Sequence, residues 1–179
     1  MQNVEFKAEL RDPALARIIS ERIGARRVGL LKQTDTYYKV PDGRLKRREC
    51  EGEPVEYVFY HRLNRAKPKL SHFTIYTEEE ARTRFGTRPL PVWLTVRKVR
   101  ELWMYSGVRI HLDMVDGLGS FIEAEALVTP SQHAGRCHEL IEQVRELYRP
   151  AMGELVSTSY SDLLAMELEG NQKGAPPVG

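Results

Sequence analysis

The sequence predicts an α+β fold in which antiparallel strands, charged on one face and apolar on the other, are covered on the apolar face by amphipathic helices. Three observations carry this. The segment Val4-Glu5-Phe6-Lys7-Ala8-Glu9-Leu10 alternates apolar and charged residues with period two, which sends the two kinds of side chain to opposite faces of a strand. The same alternation returns in later segments, where Lys46 and Arg48, Lys98 and Arg100, and Glu123 and Glu125 are each two residues apart. Two stretches, 12–24 and 131–150, space their apolar residues as a helix does.

In chain order, Asp12 can cap a helix with Pro13 in its first turn. Leu15, Ile18, Ile19 and Ile23 then form an apolar stripe that ends at Gly24. Strand-like runs follow over 32–40, 44–49 after the turn Pro41-Asp42-Gly43, 55–62 and 71–76. Thr77 before three glutamates marks a short connecting helix, broken at Gly86 and again at Pro89 and Pro91. Strands over 92–105, 108–115 and 120–128 form a meander with turns at Ser106-Gly107 and Asp116-Gly117-Leu118-Gly119. Ser131 opens a helix with Cys137, Leu140, Ile141, Val144, Leu147 and Tyr148 on its apolar face, and Pro150 stops it. Tyr160, Leu163, Leu164 and Leu168 read as a shorter helix. The single domain is expected to span 1–168, with 169–179 a disordered tail.

Charge and composition narrow the function. With 27 basic and 25 acidic residues in 179, a general polyelectrolyte role is not indicated. Basic residues alternate with acids along strands and form no stripe interleaved with stacking aromatics, so no nucleic-acid partner is expected. No basic leader and no apolar run approaching the ~20 residues of a membrane span is present, so no membrane partner and a cytoplasmic location are expected. Cys50 and Cys137 have no metal or redox spacing and read as buried, reduced thiols. His61, His72, His111, His133 and His138 lack zinc spacing, although His111 shares the parity of Arg109 and Asp113. Trp93 and Trp103 share the face opposite Lys98 and Arg100 and are expected in the outer packing. The oligomeric state is not legible.

One face of the strands collects Glu5, Lys7, Lys46, Arg48, Tyr60, Arg62, Lys98, Arg100, Arg109, Asp113, Glu123 and Glu125. Two arrangements fit. In a flat sheet this face is simply solvated. In a closed barrel it lines a wet lumen, where converging lysines and arginines repel one another unless a polyanion such as a triphosphate fills the space. Carboxylates facing the same anion then make sense if a hard divalent cation bridges them, with Glu5, Asp113, Glu123 and Glu125 as candidates.

Several stretches resemble a known family. Gln33-Thr34-Asp35-Thr36-Tyr37-Tyr38, Gly43-Arg44-Leu45-Lys46-Arg47-Arg48-Glu49, Pro68-Lys69-Leu70-Ser71, and Arg109-Ile110-His111-Leu112-Asp113 through Gly117-Leu118-Gly119 to Glu123 and Glu125 are similar to the CYTH superfamily, the triphosphate tunnel metalloenzymes, and within it to the class IV adenylate cyclase branch. The resemblance runs from about Asn3 to about Leu164. It implies an eight-stranded antiparallel β-barrel with the helices packed outside. It also implies a triphosphate held by Lys7, Lys46, Arg48, Arg62, Lys69, Lys98, Arg100 and Arg109, with Lys7 and Arg100 catalytic, and Mg²⁺ or Mn²⁺ held by Glu5, Asp113, Glu123 and Glu125. In one respect the chain departs from the family's ExExK signature, having Asn3 where an acid is expected. The implied partner is ATP or inorganic triphosphate. Three activities follow as expectations: conversion of ATP to cyclic AMP and pyrophosphate, hydrolysis of a triphosphate, or binding of a nucleoside triphosphate or polyphosphate without turnover.

Overall fold

The computed structural model describes residues 1–61 and 68–173. Within these described residues nine strands and four α-helices run in the order β1 (Gln2–Leu10), α1 (Pro13–Arg22), β2 (Arg26–Tyr38), β3 (Arg44–Cys50), β4 (Glu56–His61), β5 (Lys69–Thr77), α2 (Glu78–Phe85), β6 (Val92–Tyr105), β7 (Val108–Val115), β8 (Gly119–Leu127), α3 (Ala134–Tyr148), β9 (Met152–Leu155) and α4 (Tyr160–Lys173). All pairings are antiparallel, in the order β5-β4-β3-β2-β6-β7-β8-β1. The sheet closes where the first half of β1 pairs with β5, from Gln2 opposite His72 to Glu5 opposite Lys69. This is an eight-stranded barrel, so of the two arrangements left open by the strand pattern the closed one holds. The second half of β1 also carries the short β9, through Ala8 opposite Leu155 and Leu10 opposite Met152.

Closure sorts the alternating side chains. Val4, Phe6 and Ala8 of β1, Ile110 and Leu112 of β7, and Ile122, Ala124 and Ala126 of β8 point outward into the main core. There they meet Cys137, Leu140, Ile141, Val144 and Tyr148 of α3, with Ala16 of α1 beside them. Burying the valine, leucine, isoleucine and phenylalanine side chains among these contributes roughly 1.5–3 kcal/mol each and fixes which face of β1, β7 and β8 looks inward. The local signals act as expected in most places. Asp12 Oδ1 accepts from the Leu15 backbone amide at 3.0 Å. Thr77 and Glu80 exchange the two bonds of a capping box. Ser106 and Gly107 both take positive φ, the backbone of a two-residue hairpin turn.

Several expectations need correction. β2 begins at Arg26, six residues earlier than its polar pattern indicated, and β9 was not foreseen. A Cβ at Gly153 would lie 2.7 Å from Glu9 Oε2 and 2.8 Å from Arg11 Nε, so those two long side chains would have to shift to admit one. Ile18 and Leu147 are exposed, whereas Leu15, Ile19 and Ile23 of the expected stripe pack against the core; α1 also buries Ala16 and Ser20, the Ser20 hydroxyl lying 2.6 Å from that of Tyr148. Helix α3 starts at Ala134, capped by His133 Nδ1, which accepts from the Arg136 amide at 3.2 Å. The chain remains helical through Lys173, beyond the expected start of the tail. Cys137 is buried but Cys50 is half-exposed. Trp103 packs in the outer core as expected. Trp93 does not, because a register shift opposite Tyr37 and Tyr38 turns it against Tyr37, edge-on at 6.4 Å. No helix among the described residues is long and apolar enough to cross a membrane.

Candidate functional site

The inward faces enclose a cavity of about 400 Å³. Lys7, Lys46, Arg48, Lys69, Lys98, Arg100 and Arg109 all line it, together with Glu5, Glu123 and Glu125. Thus seven of the eight basic residues and three of the four acids expected from the sequence face one space. Arg62 lies outside the described residues. Asp113 is placed differently: it is buried behind Arg100 and does not line the cavity.

Three charge clusters hold this lumen. The first was not assigned from the sequence. Asp35, fully buried on β2, takes a fork from Arg48, Nε to Oδ1 at 2.8 Å and Nη2 to Oδ2 at 2.7 Å. Its Oδ2 also accepts from Lys46 Nζ and Lys98 Nζ, each at 3.0 Å. Burial alone would raise the Asp35 pKa, but Arg48, Lys46 and Lys98 hold it well below the usual carboxylate range. Burial and the neighbouring Arg48 outweigh Asp35 at Lys46, whose pKa falls to about 7. Burial likewise lowers Lys98. Two signals were available: Asp35 lies in the family-like stretch 33–38, and Gln33, Asp35 and Tyr37 share a face by parity, but the polar run from Lys32 to Thr36 has no apolar side to show which face is inward.

The second cluster centres on Arg100. Its guanidinium donates to Asp113 Oδ1 at 2.8 Å and Oδ2 at 2.7 Å, and Tyr160 OH donates to the same Oδ2 at 2.7 Å. With both its oxygens engaged, Asp113 orients Arg100. Glu123 Oε2 lies 3.6 Å from Arg100 Nη2, and Glu123 Oε1 lies 3.4 Å from Lys7 Nζ. Burial opposes ionisation of Glu123, yet Lys7, His111 and Arg100 keep its pKa well below the ordinary value. The segment before α4 closes this end of the lumen. Thr158 O accepts from Lys7 Nζ at 3.2 Å, Ser157 O accepts from Lys69 Nζ at 3.5 Å, and the Lys7 ammonium lies 4.0 Å from the centre of the Tyr160 ring. Helices α1 and α3 therefore pack outside the barrel, whereas the start of α4 reaches into it.

The third cluster is at Asn3. Its amide donates to Glu5 Oε2 at 3.3 Å and to Glu125 Oε2 at 3.0 Å, while its own Oδ1 is buried without a hydrogen-bond partner. Ser71 Oγ donates to Glu5 Oε1 at 3.2 Å, and Arg109 Nε stands 3.5 Å from Glu125 Oε1. His111 is buried behind the glutamates, with Nδ1 3.7 Å from Glu123 and Nε2 3.5 Å from Glu125. The carboxylate oxygens of Glu5, Glu123 and Glu125 are hard donors of the kind a divalent cation takes, while the Asn3 amide turns its nitrogen toward two of these acids. Among the described residues no three acidic, histidine or cysteine side chains form a ready-made cage. A cation here would be held by the carboxylates and would complete its shell with water and ligand oxygens, the habit of Mg²⁺.

The sequence model of the CYTH domain matches residues 1–160. The chain belongs to the CYTH domain family. No curated protein matches it in sequence. Among solved structures, the PH1012 protein of Pyrococcus horikoshii is 18% identical, with a TM-score of 0.73 over 90% of this chain and 98% of that one. A candidate adenylate cyclase from Vibrio parahaemolyticus is 17% identical, with a TM-score of 0.68 over 91% and 97%. Another, from Bacillus halodurans, is 15% identical, with a TM-score of 0.59 over 90% and 96%. At these identities the likeness is one of fold, and the CYTH barrel is what the chains share.

Proposed function

We propose that this CYTH barrel binds a triphosphate with a divalent cation and cleaves one of its phosphoanhydride bonds. The observation that carries this is the convergence of seven basic residues and four carboxylates, those of Glu5, Glu56, Glu123 and Glu125, on one cavity of about 400 Å³. Lys46, Arg48, Lys69, Lys98 and Arg109 are assigned to phosphate oxygens. Arg100, braced by Asp113 and Tyr160, and Lys7, beside Glu123, are assigned the stabilisation of charge on the reacting phosphoryl group. A bound Mg²⁺ or Mn²⁺, held by Glu5, Glu123 and Glu125, would polarise phosphate oxygens and lower the pKa of a nucleophile. Asp113 is here a positioning residue. Two outcomes share the site: a ribose hydroxyl of ATP attacks the α-phosphorus and pyrophosphate leaves, or water attacks a terminal phosphorus and orthophosphate leaves. A triphosphate-binding module without turnover is favoured by one feature alone, the neutral Asn3 between Glu5 and Glu125.

Phosphorus NMR of the protein with Mg²⁺ or Mn²⁺ and either ATP or inorganic triphosphate tests this. Cyclic AMP with pyrophosphate identifies a cyclase, orthophosphate a hydrolase, and ligand line shifts without products a binding module. Arg100→Ala is expected to reduce turnover by about 10²–10³-fold, the loss typical of one donor to a developing charge. Glu125→Ala should abolish metal-dependent turnover while the fold survives, and wild-type turnover in that variant would overturn the assignment of the acids.

The depressed pKa of Lys46 gives a pH dependence. A bound polyanion favours the ammonium form, so binding raises that pKa from about 7. Above pH 7 the free protein carries mostly neutral Lys46 and must take up a proton on binding, so triphosphate affinity falls as pH rises. Below about pH 6 the group is protonated in both states and contributes no slope. Calorimetry at pH 8 in two buffers of different ionisation enthalpy should show proton uptake that Lys46→Met removes; equal uptake in both proteins would exclude Lys46 as its source.

A further inference from the structure

The cavity wall changes character along β4 and β5. On β5 the inward residues run Lys69, Ser71, Phe73, Ile75, and on β4 they include Val58 and Tyr60. Val58 stands directly opposite Ile75, and Tyr60 directly opposite Phe73, so the four make one apolar panel across two paired strands. None of them is sealed off: Val58, Tyr60 and Phe73 are half-buried and Ile75 is 39% exposed. Helix α2 does not cover them, because its Phe85 packs on Phe59 and Tyr76, which point to the other face. Leu127 of β8, 41% exposed, lines the same space. The panel adjoins the cations, since Lys46 is the cross-strand neighbour of Val58.

Inorganic triphosphate, charged throughout, gains nothing from such a wall and would leave it wet. A triphosphate ester bearing a flat aromatic group would place its phosphates among the cations and its ring against Tyr60 and Phe73. From Lys69 to Phe73 is four residues, about 13 Å at the rise of a strand, which is the scale of a sugar and a triphosphate tail. We infer that the panel of Val58, Tyr60, Phe73 and Ile75 seats the base of a nucleoside triphosphate and makes the site selective for it over inorganic triphosphate. This rests on the triphosphate assignment of the cavity.

Titration of the wild-type protein and of Phe73→Ala with ATP and with inorganic triphosphate, each in EDTA and in Mg²⁺, separates the two claims. The loss of one ring under a base should weaken ATP about tenfold, with inorganic triphosphate changed less than about twofold. Phe73→Leu, which keeps apolar volume without the ring, should lose less. Should Phe73→Ala not fold, Ile75→Ser at its exposed position is expected to show the same preference for harming ATP. Equal weakening of both ligands, or no weakening of ATP, overturns the panel as a base site and leaves the triphosphate site standing. If neither ligand binds wild type in either condition, both claims fall.

Discussion

Asp35→Asn is expected to lower the melting temperature of the ligand-free protein by about 5–15 °C at neutral pH and at the same time to tighten triphosphate binding. Asp35 is the counter-charge of Lys46, Arg48 and Lys98, and its amide analogue keeps the shape without the charge. Removing one partner of a buried ion pair typically costs about 3–5 kcal/mol because the remaining charge is left uncompensated. Part of that cost is avoided here. Lys46 already titrates at about 7, and without Asp35 it and Lys98 would shed protons more readily. The depressed pKa of Asp35 means its contribution is fully present above the unfolded value of about 4 and is lost only as pH falls through the folded value. The gap between the two proteins should therefore narrow in strong acid.

Binding should move the other way. In the native protein a triphosphate must share Lys46, Arg48 and Lys98 with a carboxylate of its own sign, and Asp35→Asn removes that competitor. Thermal shifts on adding inorganic triphosphate are then larger in the variant than in the wild type, by an amount that tightening of about tenfold would produce. A variant as stable as wild type would mean that the three cations do not depend on Asp35. A destabilised variant with weaker binding would mean that Asp35 serves the ligand and is not its rival.

What the sequence revealed depended on contrast between faces. In β1 every second residue from Val4 to Leu10 is apolar and every residue between is charged, so both the strand and its inward set of Glu5 and Lys7 could be read at once. The β7 and β8 faces were legible for the same reason. β2 offers no such contrast over Lys32 to Thr36, and Asp35, the counter-charge of Lys46, Arg48 and Lys98, passed without assignment. Asp113 was placed on the correct face, but cross-strand register sets Arg100 directly opposite it, and no periodicity shows that both its oxygens are taken up there. Trp93 was missed because a bulge breaks the parity on which its outward assignment rested. The four residues of β9 are too few to carry a period, and closure of the barrel itself rests on pairing between β1 and β5, far apart in sequence.

Asn3→Glu should raise the affinity for Mn²⁺ by about tenfold or more while destabilising the metal-free protein by roughly 1–3 kcal/mol near neutral pH. The amide nitrogen of Asn3 touches both Glu5 and Glu125, so a carboxylate in its place brings a third negative charge against two others. Two charges about 4 Å apart interact by up to roughly 4 kcal/mol at a near-surface dielectric, and proton uptake or splaying of the side chains relieves much of this. The destabilisation should fade in acid, where the added carboxyl is protonated. A divalent cation reverses the sign, because the same three charges then converge on a positive ion. Mn²⁺ titration followed by electron paramagnetic resonance reads this without reference to turnover, and the variant is expected to bind one more ion per chain than the wild type. Asn3→Ala separates charge from contact: it loses the amide tie between Glu5 and Glu125 and should gain no metal affinity. A folded Asn3→Glu protein with unchanged affinity and stoichiometry would make Asn3 a structural tie between two glutamates, with no metal position at that residue.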